Sequence, residues 1–176
     1  MNTLYRKYRP QKFEEIVGQD HIITVLQNAL KQGRVAHGYL FTGPRGTGKT
    51  TTARILAREL NCEGLDLIEV DAASNRGIDE IRDLRENIRI STGENAWRVF
   101  ILDEAHMLTT IASNALLKSL EEPPPRTVFI LITTEQDKII PTIKSRLQIL
   151  PFKSIALNDI ITRLEQIVKK EKVKVD

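Results

Sequence analysis

Residues 43–50 read GPRGTGKT and match the phosphate-binding pattern G-x-x-x-x-G-K-[ST] at every fixed position. A triphosphate needs many backbone N–H donors close together, and the three glycines leave room for a loop that supplies them. Lys49 can place its ammonium at the β- and γ-phosphates, and the Thr50 hydroxyl can ligate Mg²⁺. This segment predicts a nucleotide phosphate site, and the alternative is a glycine-rich turn that binds nothing.

The residues on either side of this loop favour the first interpretation. Residues 38–41 form a short apolar run suited to a buried strand. Residues 51–60 are typical of a helix, with Ile55, Leu56 and Leu60 on one face. The loop therefore precedes a helix N-terminus, where free N–H groups and the helix dipole favour an anion.

Two adjacent carboxylates follow another predicted strand. Asp103 and Glu104 come directly after the apolar residues 99–102. Asp103 can hold Mg²⁺ through water, and Glu104 can act as the general base that polarises an attacking water. The alternative is that both acids only stabilise the N-terminus of the next helix through its dipole.

Two further residues are candidates for contact with a γ-phosphate. Thr134 follows the apolar run 128–132, and its hydroxyl can hydrogen-bond the phosphate or the attacking water. An ordinary strand-end threonine that starts a turn is the alternative. Arg146 precedes the last predicted strand and can reach the nucleotide of a neighbouring subunit, or else form a surface salt bridge.

The rest of the chain alternates apolar strands with amphipathic helices after a basic, aromatic arm over residues 1–18, in which Pro10 discourages helix before it. Predicted strands cover 38–41, 67–70, 99–102, 128–132 and 148–152; predicted helices cover 20–32, 51–60, 78–90, 111–121 and 157–170, with a short helix before Ser145. This alternation predicts an α/β fold with a parallel sheet covered by helices on both faces. Ligands bind at the carboxyl ends of such strands, where the loop, the two acids and Thr134 all fall.

Composition narrows the class of protein. The chain has 176 residues, of which 41% are hydrophobic and 28% charged, and a net charge of +3 that fits nucleic-acid binding and an ordinary solvated surface equally well. The single cysteine, Cys62, excludes an internal disulfide and a four-cysteine zinc site, and we interpret it as an inert thiol. No apolar run approaches the length of a membrane span, so we expect a cytoplasmic protein with no membrane partner. The three histidines, His21, His37 and His106, are interpreted as structural.

Together these segments resemble the AAA+ clamp-loader ATPases, and most closely the gamma/tau family of bacterial DNA polymerase III. The matching segments, which cover nearly the whole chain, are Tyr8-Arg9-Pro10 with Phe13, Val17-Gly18-Gln19, and residues 43–50, 71–74, 103–108, 114–118, 120–124, 133–134 and 145–146. The resemblance implies a P-loop AAA+ core over residues 1–153 and the start of a small helical lid over 154–176.

The resemblance also implies cofactors and roles. ATP and Mg²⁺ are the implied cofactors, with Tyr8, Arg9, Val17 and Gly18 near the adenine and ribose. The implied phosphate-binding residues are Gly43, Pro44, Arg45, Gly46, Thr47, Gly48, Lys49, Thr50 and Thr51. The implied catalytic residues are Lys49, Asp103, Glu104, Thr134 as sensor 1 and Arg146 as a finger that acts in trans.

The function implied is an ATP-hydrolysing clamp-loader subunit in bacterial DNA replication. Its implied partners are other clamp-loader subunits in a hetero-oligomer, the sliding clamp and primed DNA, with residues 72–77 and the following helix N-terminus as candidate DNA contacts. The alternatives are a non-hydrolysing structural subunit of the same assembly, and another AAA+ DNA motor or helicase loader. A GTPase is disfavoured because no N-K-x-D motif occurs.

Three departures from the family pattern accompany the resemblance. Leu147 stands where the family's Ser-Arg-Cys motif has cysteine. Residues 61–67 replace the family's cysteine-rich zinc module, so a bound zinc is not expected. The chain ends inside the implied lid, which predicts that the sequence is part of a longer protein.

Overall fold

The computed structural model describes residues 3–74 and 96–173. The strands are β1 (Gly38–Thr42), β2 (Leu67–Asp71), β3 (Arg98–Asp103), β4 (Thr127–Thr133) and β5 (Gln148–Pro151). The α-helices are α1 (Leu4–Lys7), α2 (Asp20–Lys31), α3 (Lys49–Glu59), α4 (Thr110–Glu121), α5 (Pro141–Lys144) and α6 (Leu157–Glu171). Short 3₁₀ turns occupy Phe13–Glu15, Gly64–Asp66, Ala105–Met107 and Gln136–Lys138. The helix predicted over 78–90 and residues 75–77 of the predicted DNA contact lie outside the described residues.

All five described strands run parallel in one sheet, in the order β2-β3-β4-β1-β5. The prediction of a parallel α/β sheet is therefore confirmed. Thr42 of β1 is level with Thr133 of β4, and Leu102 of β3 is level with Leu131 of β4. The carboxyl ends of these three strands therefore meet at the same edge of the sheet.

Alternate residues of each strand feed two hydrophobic cores, one on each face. Tyr39 and Phe41 of β1 are buried in the core that includes α2 and α3, whereas Leu40 between them belongs to the core that includes α4. In this second core the rings of Phe100 and Phe129 stack with centroids 5.1 Å apart. Burial on both faces explains why the central strands read as unbroken apolar runs.

The N-terminal arm differs from the prediction because it contains the one-turn helix α1. Proline restricts the residue before it most strongly, which is Arg9, so a helix that ends at Lys7 avoids the conflict. Lys7 forms an ion pair with Glu171 of α6 at 2.7 Å, and the Tyr8 hydroxyl hydrogen-bonds the same carboxylate. The Lys7 ammonium lowers the pKa of Glu171. The arm is thus attached to the last helix.

Helix α6 packs loosely for its length, because none of its residues is fully buried. Ile167 and Val168 are half-buried, while Ile160 and Leu164 remain exposed. Within the described parts of the chain, no helix is both long and apolar enough to cross a membrane.

Candidate functional site

The phosphate-loop segment leaves β1 at a position that only glycine can occupy. Gly43 has a φ of +128°, and a Cβ atom added there would lie 2.2 Å from the carbonyl oxygen of Phe152. The backbone of Phe152 also donates its N–H to the Thr42 carbonyl at 2.7 Å. The loop is therefore pressed against the chain that follows β5, and α3 begins at its other end with Lys49.

Lys49 is held beneath the loop. Its side chain is buried, and Nζ donates to the carbonyl oxygens of Gly43 and Pro44 at 2.7 and 2.6 Å. Burial lowers the pKa of the Lys49 ammonium, and the nearby carboxylates of Asp103 and Glu104 oppose that shift. The ammonium thus sits in a negative environment at the point where the loop meets the strand ends.

Thr50 and Asp103 are in direct contact. The Thr50 hydroxyl donates to Asp103 Oδ2 at 2.7 Å, and Asp103 Oδ1 accepts the backbone N–H of Glu104 at 2.9 Å. A hydroxyl beside a carboxylate is a set of hard oxygen donors that suits Mg²⁺. Among residues 3–74 and 96–173, no group of three or more His, Cys, Asp or Glu side chains could hold a metal ion.

Glu104 occupies a strained backbone position. Its φ of 50° and ψ of 43° lie in the left-handed region, which residues with a Cβ atom enter at a cost of about 1–2 kcal/mol. Such outliers cluster at functional sites, where the surrounding structure holds them. The turn that follows, Ala105–Met107, carries the chain away from β3 immediately after the two acids.

One cleft of about 820 Å³ brings these groups together. It is lined by loop residues, by strand-end residues and by cationic and acidic neighbours: Arg45, Gly46, Gly48, Lys49, Thr50, Thr51, Asp103, Glu104 and Thr134, with Arg9, Arg54, Glu69 and Asp71. The structure thus brings most of the predicted phosphate-binding residues and all the predicted catalytic residues except Arg146 to a single site. Gly43, Pro44 and Thr47 are in the loop but do not line this cleft; the Thr47 hydroxyl donates to the Pro44 carbonyl at 2.9 Å.

A second cavity of about 910 Å³ adjoins the first, between the N-terminal arm, the loop and α6. Tyr8, Arg9 and Val17 line it, and its surface is mostly apolar. The second cavity is also lined by the loop and helix residues Arg45, Gly46, Thr47, Gly48 and Thr51. All of these except Thr47, together with Arg9, line the first cavity as well. Gly18 does not line the cavity and lies beside Ile155 instead. The two cavities form one continuous cleft with a charged end and an apolar end.

Arg146 lies outside this cleft. Its guanidinium donates to Glu121 Oε1 and to the Thr142 carbonyl, both at 2.7 Å. The neighbouring Leu147 is buried against Gly38, where an added Cβ would come within 2.4 Å of the leucine side chain. Leucine at the position of the family's cysteine therefore serves the core.

Sequence reasoning missed several polar contacts around the site. Gln19 is fully buried and bridges the loop to the chain after β5. Its side-chain Nε2 donates to the Thr47 carbonyl at 3.4 Å and to the Lys153 carbonyl at 2.7 Å. Its Oε1 accepts the Lys153 N–H at 3.1 Å. Its place beside Val17 and Gly18 in the family motif was the available signal. Arg54, four residues after Thr50 and so on the same helix face, donates to Glu69 at 2.8 Å.

Comparison with known proteins identifies the family. The family described as "DNA polymerase III, delta subunit" matches residues 18–73 and 64–156, which is most of the chain. The chain belongs to this family. Its resemblance to clamp-loader AAA+ ATPases of the gamma/tau type is confirmed by relatives that align with nearly all of it.

Those relatives come from several bacteria. The DNA polymerase III subunit tau of Bacillus subtilis is 48% identical over 99% of this chain and 35% of the relative. The gamma/tau subunit of Mycobacterium tuberculosis is 45% identical over 99% of this chain and 34% of the relative. The tau subunit of Escherichia coli is 41% identical over 97% of this chain and 30% of the relative. The chain thus spans about a third of their length. The alignment with the Bacillus subtilis protein has 195 positions, whereas this chain has 176 residues. Within that alignment, the Bacillus subtilis protein therefore has at least 19 residues without a counterpart in this chain.

Solved structures confirm the fold. The Thermotoga maritima RuvB Holliday junction branch migration motor superposes with a TM-score of 0.77 at 22% identity, covering 96% of this chain and 56% of that one. A single-residue variant of the same Thermotoga maritima protein gives a TM-score of 0.77 at 21% identity, with the same coverage of both chains. The described residues therefore form an α/β AAA+ core.

Proposed function

We propose that this chain is the ATP-binding and ATP-hydrolysing part of a clamp-loader subunit that places the sliding clamp on primed DNA. The observation that carries the proposal is the 2.7 Å contact between Thr50 and Asp103, in a cleft that also contains Lys49 and Glu104. A phosphate loop and a strand-end carboxylate meet in this way when both serve one metal–nucleotide complex. Family membership and the gamma/tau relatives support replication as the setting.

Each residue has a separate role in the proposed reaction. Lys49 binds the β- and γ-phosphates by charge, and Thr50 and Asp103 hold Mg²⁺, which neutralises phosphate charge when bound. Glu104 accepts a proton from the attacking water, and Thr134 donates its hydroxyl to the γ-phosphate or to that water. The reaction is a water-mediated cleavage of the terminal phosphoanhydride bond.

The apolar end of the cleft suits the purine and ribose. Tyr8, Arg9 and Val17 would contact them there, and α6 would form the start of a lid over the base. Residues 1–153 are the proposed core and 154–176 the proposed lid segment. The proposed lid segment contributes Ile155, Ile160 and Leu164 to the lining of this cavity, which supports its role in covering the base.

Arg146 is proposed to act on the nucleotide of a neighbouring subunit in a hetero-oligomer. Its position outside its own cleft supports this role, and reaching a neighbour requires the guanidinium to leave its ion pair with Glu121. Fingers of this kind accelerate hydrolysis by about 10³–10⁵-fold. Contacts to primed DNA would be mainly to phosphates and would weaken with added salt.

The alternative is a non-hydrolysing structural subunit of the same assembly. Such a subunit has no use for Glu104 or for the contact between Thr50 and Asp103. The fold likeness to a branch migration motor does not favour motor activity, because that likeness extends to the fold alone.

Two variants test the proposed hydrolysis. Lys49→Ala should abolish ATP binding because it removes the phosphate-facing charge, whereas Lys31→Ala, at the exposed end of α2, should bind normally. Glu104→Gln should bind ATP normally and lose turnover, because the shape is kept and the base is removed. ATP affinity and phosphate release are measured together; turnover retained by Glu104→Gln would contradict the assignment of the base.

The proposed trans action of Arg146 is tested by the ATPase rate as a function of protein concentration, with and without primed DNA. A rate that rises faster than linearly indicates sites completed between subunits, and Arg146→Ala should remove that rise. Arg34→Ala, on the exposed loop after α2, is the matched control. A concentration dependence that survives in Arg146→Ala would exclude this residue as the finger.

A further inference from the structure

His106 lies between the proposed base and the loop that follows β4. Its side chain is only 8% exposed and makes three polar contacts. Nδ1 lies 3.1 Å from Thr133 Oγ1 and 3.5 Å from Glu104 Oε2, and Nε2 lies 3.2 Å from Glu135 Oε1. The imidazole thus joins two segments that are about 30 residues apart in the chain.

Two of these partners flank Thr134, the proposed γ-phosphate contact. Thr133 Oγ1 accepts the backbone N–H of Glu135 at 2.9 Å, which fixes the turn that contains Thr134. Glu135 is also paired with Lys138 at 2.7 Å, and the Lys138 ammonium lowers the pKa of Glu135. The imidazole is therefore attached to the backbone turn that presents Thr134.

The contact to Glu104 is the longest of the three. Because a buried polar ring needs partners for both nitrogens, the contacts to Thr133 and Glu135 can satisfy it without Glu104. With an N–H on each nitrogen, the ring donates to Glu135 from Nε2 and to both Thr133 Oγ1 and Glu104 Oε2 from Nδ1. In that form one nitrogen links the Glu104 carboxylate to the hydroxyl that closes the Thr134 turn.

We propose that His106 is a positioning residue that couples the Glu104 carboxylate to the Thr134 turn. The inference rests on the proposed function, since it concerns the base and the phosphate contact of that reaction. His106 does not line the 820 Å³ cleft, so it would act through Glu104 and not on the nucleotide. A change at His106 should therefore slow hydrolysis and leave ATP binding nearly unchanged.

The competing explanation is that His106 only fills space. It lines a small cavity of about 140 Å³ together with Leu108, Leu131 and Ile143. A space-filling ring should be replaceable by phenylalanine, which has a similar shape and no polar atoms. Glutamine, in contrast, keeps a polar group near the position of Nε2 and should restore part of the coupling.

The test uses the intact protein together with the subunits that copurify with it. The single-turnover rate of ATP hydrolysis, the ATP dissociation constant and the melting temperature are measured for His106→Phe and His106→Gln. We expect His106→Phe to lose roughly tenfold in rate, which is about 1.4 kcal/mol of barrier, with the dissociation constant within about twofold of the wild type. His106→Gln should recover part of that loss.

Glu135→Gln provides a second variant that does not disturb the core, because this side chain is 46% exposed. It weakens the same connection from the other side and should also slow hydrolysis. The double variant His106→Phe with Glu135→Gln should be no slower than His106→Phe alone, because both changes break one connection. Glu63→Gln and His21→Phe, both at exposed positions away from the site, should hydrolyse ATP normally.

Two results would overturn the coupling: a His106→Phe protein that hydrolyses ATP as fast as the wild type, or one whose rate, ATP affinity and melting temperature fall together. If His106→Phe does not fold, an unchanged rate in Glu135→Gln overturns it. A wild-type protein that hydrolyses no ATP would remove both this inference and the proposed function. A wild-type protein that hydrolyses ATP beside an equally fast His106→Phe would remove this inference alone.

Discussion

Replacing Gly43 by alanine tests whether the phosphate loop depends on its close approach to the chain after β5. The added Cβ would lie 2.2 Å from the Phe152 carbonyl oxygen, more than 1 Å inside an ordinary contact of about 3.5 Å. The obstacle is backbone, so no side-chain rotation relieves it. Either the loop or the Phe152 segment must move.

The cost follows from three contributions. A φ of +128° is strained for alanine by about 1–3 kcal/mol. Moving Phe152 stretches its 2.7 Å hydrogen bond to Thr42, worth about 1 kcal/mol. Repacking around an added methyl group costs about 1–3 kcal/mol more. We therefore expect Gly43→Ala to lower the free energy of unfolding by about 3–7 kcal/mol.

Gly46→Ala is the matched control in the same loop. Gly46 also has a positive φ, +80°, but nothing lies within 4 Å of a Cβ added there. Its cost should be only the backbone strain, about 1–2 kcal/mol. Urea and thermal unfolding of both variants should differ by at least about 2 kcal/mol, or about 4–8 °C in melting temperature. Equal destabilisation of the two variants would refute the close approach as the reason for glycine at position 43.

Three further predictions concern single side chains. Gln19→Leu should destabilise the fold by about 2–4 kcal/mol in urea unfolding, because the partly buried backbone groups of Lys153 lose their partner, and a loss below about 1 kcal/mol would contradict the bridge. Thr50→Val should raise the Mg²⁺ concentration needed for half-maximal turnover by roughly tenfold or more, the effect of about 1.4 kcal/mol, whereas Thr24→Val, at an exposed position of α2, should not; an unchanged Mg²⁺ dependence would remove Thr50 as a ligand. Cys62 should react with iodoacetamide only as the protein unfolds, because burial shields the thiol and raises its pKa; rapid labelling of the native protein would show that the thiol is accessible.

The sequence was most informative where one short segment carries both structure and chemistry. The loop at 43–50, the apolar run before Asp103 and the run before Thr134 each combine a local pattern with its own strand. Parallel strands then bring their carboxyl ends to one edge, so convergence of these residues follows from the pattern alone. The structure brings them into one cleft accordingly.

What the sequence did not predict depends on pairs of distant residues. No local pattern indicates that Gln19 bridges Thr47 and Lys153, or that His106, interpreted as structural, lies between Glu104 and Glu135. The order of strands is a similar case, because five parallel strands can be arranged in many ways. Helix α1 was missed because the restriction that Pro10 imposes was extended beyond Arg9, the residue that it affects most.

The position of β1 between β4 and β5 has a consequence for how the protein is made. Within the described residues, β1 pairs only with β4 and β5, and Thr42 is level with Pro151. The ribosome must add roughly 110 residues after Thr42 before β5 exists, which takes about 5–20 s at 5–20 residues per second. For most of that interval, until Thr133 of β4 has been added, the strand that leads into the phosphate loop has no neighbours, so its apolar faces are available to chaperones. The loop is synthesised early and gains its supporting framework late, since nucleotide binding must wait until the last strand of the sheet has joined.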